Sequence, residues 1–155
     1  MRAVNGHPWH GPALQKLLDG LMPAHAAAHP IPGGHSIWEL VLHLTSWARE
    51  CARRLRDGVA RDPEMGDWPK VSGRGAAAWT AARDALFAAH EEVLAALGGL
   101  DENRLDQIVR DVRSRPEAGV SYHVLLHGLA QHYAYHGGQI ALLSRALANM
   151  PGTIR

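Results

Sequence analysis

Apolar residues recur at intervals of three and four in four separate segments of this 155-residue chain, while alternating, strand-like patterns are scarce. Such periodicity requires helices that bury one stripe each against their neighbours, and it predicts an all-α domain. The first predicted helix runs from about Pro12 to Ala28, with Leu14, Leu17, Leu18 and Leu21 on its inner face. It stops before the breaker cluster His29-Pro30-Ile31-Pro32-Gly33-Gly34. The second opens on a capping box, Ser36 with Glu39 three residues later. Its stripe of Ile37, Leu40, Leu44, Trp47, Cys51 and Leu55 reaches about Arg56, ahead of Asp57-Gly58. A polar connection from Arg61 to Gly75, carrying Asp67-Trp68-Pro69, leads into an alanine-rich third helix from roughly Ala76 to Leu97, closed by Gly98-Gly99. Loops of that length without periodicity are often functional, which makes this one a candidate pocket rim. The segment from Asp101 to Ala118 is ambiguous. Asp101 can cap a short helix, residues 107–112 can form a brief extended piece, and Ser121 caps a last long helix running to about Ala148. Four long helices in one domain over residues 1–155 predict an antiparallel four-helix bundle.

Composition narrows the function classes. With 46% hydrophobic residues, 20% charged and a formal net charge of +1, the chain offers no polyanionic surface partner, so nucleic acid is not expected. The run Arg49, Arg53, Arg54, Arg56 and Arg61 falls at the end of the second helix, where cations complement the helix dipole, and is expected to be a solvated terminus. The apolar runs are short, and Met1 to His7 lacks the apolar core of a signal peptide. No membrane span is expected, and the cytoplasm is the expected compartment. Cys51, the single cysteine, agrees with a reducing environment and falls among core positions.

Eleven histidines are the unusual part of the composition. Two of them stand in His132-Tyr133-Ala134-Tyr135-His136, just before Gly137-Gly138-Gln139-Ile140. Residues four apart on a helix lie about 40° apart around the axis with Cβ atoms roughly 6 Å from each other, so both rings can converge on one ion. His132 and His136 share the helical sector of Leu125, Leu129, Gln139 and Leu143, which faces inward. His43 lies at the edge of the inward stripe of the second helix and can meet the pair across the core. His123 and His127 fall on the opposite side of the last helix and are read as structural. A lone histidine on an apolar face is more often hydrogen-bonded core than ligand. A pair one turn apart shifts that balance, since a shared ion removes the desolvation cost of two buried imidazoles. His7, His10, His25, His29, His35 and His90 are expected to be solvent-facing or capping residues, with His35 near enough to the second helix to reach a pocket.

The stretch from His35 through His43-Leu44, with Trp47 after it, resembles the second-helix motif of the DinB/YfiT superfamily. Leu126 to Ile140 is similar to that superfamily's closing motif, and the resemblance also takes in Asp67-Trp68-Pro69 and Trp79. Gln131 and Gly137 depart from the common pattern. The resemblance covers most of the chain, from the first helix to about Ala146. It implies a four-helix bundle that holds a divalent metal through His43, His132 and His136. Three imidazoles leave a coordination position open, as catalytic zinc sites do. They suit zinc, nickel, copper or iron, with zinc the expected metal. Relatives that use low-molecular-weight thiols such as bacillithiol or mycothiol make a thiol S-transferase acting on a small-molecule substrate the leading expectation. A metal-dependent hydrolase comes second and a non-catalytic, metal-stabilised binding module third. Gln139 is expected to orient a ligand imidazole, Glu39 to cap its helix rather than act as a base, and the bundle to form a homodimer.

Overall fold

Ser36 sets the start of the helix around which the rest of the chain is arranged. In the computed structural model, which describes residues 2–113 and 118–149, the Ser36 hydroxyl accepts from the Glu39 amide. The Glu39 carboxylate in turn accepts from the Ser36 amide at 2.7 Å. This capping box opens helix α4, Ile37–Asp57. Gly58 ends it, with φ +69° and its amide donating to the Arg54 carbonyl. The alanine-rich α5 spans Gly75–Gly98, and Ser121 caps α6, Tyr122–Ala148, by accepting from the Val124 amide. These three long helices stand as expected.

Ahead of them the predicted single helix from Pro12 to Ala28 is broken. Two short helices take its place, α2 at Leu14–Leu18 and α3 at Pro23–Ala27, preceded by α1 at Arg2–Asn5. Gly20 adopts a left-handed φ of +66°, and Pro23 occupies the first turn of α3, where its missing amide costs nothing. The apolar spacing survives the break: Leu14 and Leu18 are fully buried.

A small sheet is the second departure from the all-helical expectation. β1 (Val59–Ala60) pairs in parallel with β2 (Ile108–Asp111), which pairs antiparallel with β3 (Gly119–Ser121). Within the ambiguous segment, Asp101 does cap a short 3-10 turn, Glu102–Arg104, and the extended piece is β2. Residues 114–117 of that segment lie outside the described residues.

The sheet sets the height of two helices. β1 follows α4 directly and β3 leads directly into α6, so both helices meet the sheet at the same end. His43 stands 14 residues before Asp57, and His136 stands 14 residues after Tyr122. At 1.5 Å per residue both lie about 21 Å along their helices from the sheet. The pairing of three short strands thus brings histidines 93 positions apart in the chain to one level.

α4 packs against both α5 and α6, α2 lies on α6, and α3 on α4 and α5. Leu40, Val41, Leu44, Ala48 and Ala52 of α4 are buried with Leu86 and Val93 of α5 and Tyr133 and Ile140 of α6. Each large aliphatic side chain so buried contributes roughly 1.5–3 kcal/mol. The arginine run is only partly solvated. Arg54 is buried, donates to Glu50 at 2.8 Å and lies 5.4 Å from the Trp47 ring centroid. Buried Glu50 also accepts from Arg53 and from the Arg61 amide, which ties the start of the long loop back to α4.

Gly58 gives a direct test of this frame. A side chain there is strained by its left-handed backbone, and an added Cβ would stand 3.1 Å from the Tyr122 hydroxyl. Gly58→Ala is expected to lower stability in urea denaturation by about 1 kcal/mol or more. An unchanged unfolding midpoint would show that the α4 end does not depend on that conformation.

Candidate metal centre

α4 and α6 present three imidazoles to one another at the level the sheet sets. The ring centroids of His43, His132 and His136 lie 4.6–4.9 Å apart, with interplanar angles of 72–80°. One nitrogen from each falls within 4.8 Å of the others, and His43 Nε2 is 2.9 Å from His132 Nε2. His43 and His136 are buried, and His132 is partly buried.

Two of the three outward nitrogens are held by hydrogen bonds. His43 Nδ1 donates to the Asp67 backbone carbonyl at 2.7 Å. A carbonyl only accepts, so this bond places the ring hydrogen on Nδ1 and turns the Nε2 lone pair of the neutral ring toward the other histidines. His136 Nδ1 donates to Gln139 Oε1 at 2.6 Å with the same result. The 2.9 Å contact is then a hydrogen bond in which His132 Nε2 donates to the His43 lone pair.

Burial, followed by the neighbouring imidazoles of His136 and His43, pushes the His132 pKa down to about 4. Burial likewise lowers that of His136. Neutral rings are the ligating form, so the pocket favours the state that a cation needs. A tetrahedral zinc with bonds of about 2.0–2.1 Å separates its ligand nitrogens by about 3.3 Å. The triangle seen here, with 2.9 Å for its hydrogen-bonded edge and 4.8 Å as its upper bound, brackets that value. The donor set therefore fits a divalent ion.

The long loop between β1 and α5 forms the rim, as its length suggested. Ser46 donates to the Gly66 carbonyl at 2.6 Å, and Trp47 Nε1 donates to Asp67 Oδ1 at 2.6 Å. With His43, three side chains of one α4 turn hold residues 66 and 67. Trp68 then lies flat between two imidazoles, 4.0 Å from His43 and 3.6 Å from His35, at angles of 14° and 8°. His35 thus reaches the site through a ring rather than through a ligand bond. No periodicity could reveal this stack, because loop geometry makes it.

The other histidines divide cleanly. His123 and His127 are exposed and stack on each other 4.8 Å apart, away from the centre. His29 is exposed and pairs with Glu39 at 3.0 Å, so that carboxylate is committed to the helix cap and to His29. His90 corrects the expectation that it faces solvent. It is buried, and neither its ring nitrogens nor the nearby Tyr133 hydroxyl has a hydrogen-bond partner among the described residues. The α5 stripe Trp79, Ala82, Leu86, His90, Val93 carried the signal, obscured by the alanines around it. Cys51 is core, as read, with its thiol pushed up to about 12 by burial.

A family model of the DinB superfamily matches residues 9–140. The chain belongs to the DinB superfamily. No curated protein and no solved structure matches it. The match covers α2 to α6 as far as Ile140, and so includes all three histidines and Gln139. Among the described residues, no helix of this DinB-superfamily protein is long and apolar enough to cross a membrane.

Burial holds the His90 pKa below its ordinary 6.5, so below that pH the unfolded chain binds a proton that the folded chain refuses. Metal-free protein is therefore expected to lose stability as pH falls from 6.5 through the lowered value. His90→Leu should weaken this dependence in urea titrations between pH 7 and 5. An identical pH dependence in the variant would contradict the assignment.

Proposed function

We propose that this protein is a divalent-metal-dependent thiol S-transferase in which His43, His132 and His136 hold the ion, zinc by default. The observation that carries the reading is a cluster of three imidazoles braced from behind by Asp67 and Gln139, beside which the one carboxylate among the described residues that approaches one of these rings, that of Asp67, lies on the outer side of His43, 3.3 Å from Nδ1. Cys51 is buried and hard to ionise, Glu39 caps α4, and the Asp67 carboxylate accepts from Trp47. In this reading the attacking group comes from a small molecule. A bound divalent ion supplies Lewis acidity that ionises a coordinated thiol at neutral pH. The protein's own residues orient and shelter. Asp67 and Gln139 fix the tautomers of His43 and His136, Trp68 covers one face of His43, and the burial of His43 and His136 limits water. In this reading α2 and α3 together take the place of one helix of an antiparallel four-helix bundle, the whole chain is one domain, and two chains pair as a homodimer in the cytoplasm. Low-molecular-weight thiols of the bacillithiol kind, used in other branches of the superfamily, are the class of cofactor thiol proposed.

Elemental analysis of tag-free protein is expected to find about one ion per chain, absent after His132→Ala. Gln139→Leu should weaken metal affinity about 10–100-fold, measured against a chromophoric chelator. With a thiol panel and monochlorobimane, conjugate should form only when both thiol and metal are present. Turnover without thiol would replace this reading with hydrolysis, and metal binding without turnover would leave a binding module.

A further inference from the structure

Beside the histidine cluster lies an apolar cleft of about 450 Å³ that shares only His132 with the proposed metal site. Trp47, Val124, Leu125 and Leu129 form its walls, and His132 closes one end. Val120 and Val124 stand 44% and 54% exposed. Scattered exposed valines need no explanation, but these two line one concavity, where an apolar ligand would cover both. The charge in the cleft is already neutralised. Arg54 reaches it, yet its guanidinium donates to Glu50 and to the Arg61 carbonyl and lies near the Trp47 ring. An anionic ligand would find no unpaired cation in Arg54.

Gly128 is the second observation. It lies inside the 27-residue α6, where glycine costs about 1 kcal/mol relative to alanine. Close packing does not require it, because a Cβ built there meets no atom within 4 Å among the described residues. The missing side chain instead leaves cleft space open one helical turn from His132. The volume falls in the range of small-molecule sites, and the cleft reaches the cluster at His132, whose ring stands 6.3 Å from that of Trp47.

We propose that this cleft binds the substrate of the histidine site and that the substrate is a neutral, largely hydrocarbon small molecule, its reacting end toward His132. Calling the ligand a substrate rests on the function proposed above; the binding of such a molecule does not. The probe is N-phenyl-1-naphthylamine, which is neutral and fluoresces in apolar surroundings. Wild type is expected to saturate with about one probe per chain. Gly128→Phe, which fills the cleft, and Val124→Asp, which charges its wall, should each weaken binding about tenfold or more while retaining metal. Circular dichroism checks folding, and the exposed Val124 position keeps the test alive if Gly128→Phe does not fold. Probe binding in both variants equal to wild type would overturn the proposal. So would a wild-type dimer that excludes probe and that both variants dissociate, because a second copy would then cover the cleft. Metal without probe in wild type would defeat the cleft alone. Probe without metal would support the cleft and defeat the three-histidine reading.

Discussion

The bond from His43 Nδ1 to the Asp67 carbonyl is the contact on which the centre depends. It does two things at once. It fixes the tautomer of a buried imidazole so that a lone pair, rather than a hydrogen, points at His132 and His136. It also anchors a loop that has no regular structure of its own and that places Trp68 against the same ring. Hydrogen bonds from Ser46 and Trp47 brace this contact from the same helix. Removing the histidine would therefore take away one of the three clustered imidazoles and leave part of the rim unsupported. A surface histidine could not do this work, because water would compete for the carbonyl and leave the tautomer free.

The small sheet matters to the histidine cluster although it contributes no residue to it. Two imidazoles on one helix can always converge when they are four residues apart, but a third from another helix meets them only if the two helices are in register along their length. β1 and β3 abut α4 and α6 directly, and β2 joins them by backbone pairing. That pairing converts two equal distances along separate helices into a single meeting point.

Where local chemistry sets the structure, the sequence was readable. Ser36 with Glu39, Gly58 and Ser121 are terminators that act within a few residues, and each marks an observed helix end. The spacing of His132 and His136 and their sector on the wheel needed nothing beyond helix geometry. Legibility ends where distant backbone takes over. Strands of two and three residues have no room for an alternating pattern, so β1 and β3 left no trace. The break at Gly20 was hidden because leucines on both sides of it keep helical spacing. Arg54 read as solvated because its partner, Glu50, had no evident role until the Arg61 backbone was seen to join them. The His35, Trp68 and His43 stack depends on a loop conformation that no periodic rule describes.

Nitrogen-15 NMR of the histidine rings tests the central claim most directly, because it reports tautomer and ligation atom by atom across all eleven histidines. In metal-free protein at neutral pH, the account predicts that His43 and His136 carry hydrogen on Nδ1. Adding one equivalent of zinc should then shift Nε2 of His43, His132 and His136 and leave His123 and His127 unmoved. Finding His43 with its hydrogen on Nε2, or zinc acting on the exposed His123 and His127 instead, would contradict it.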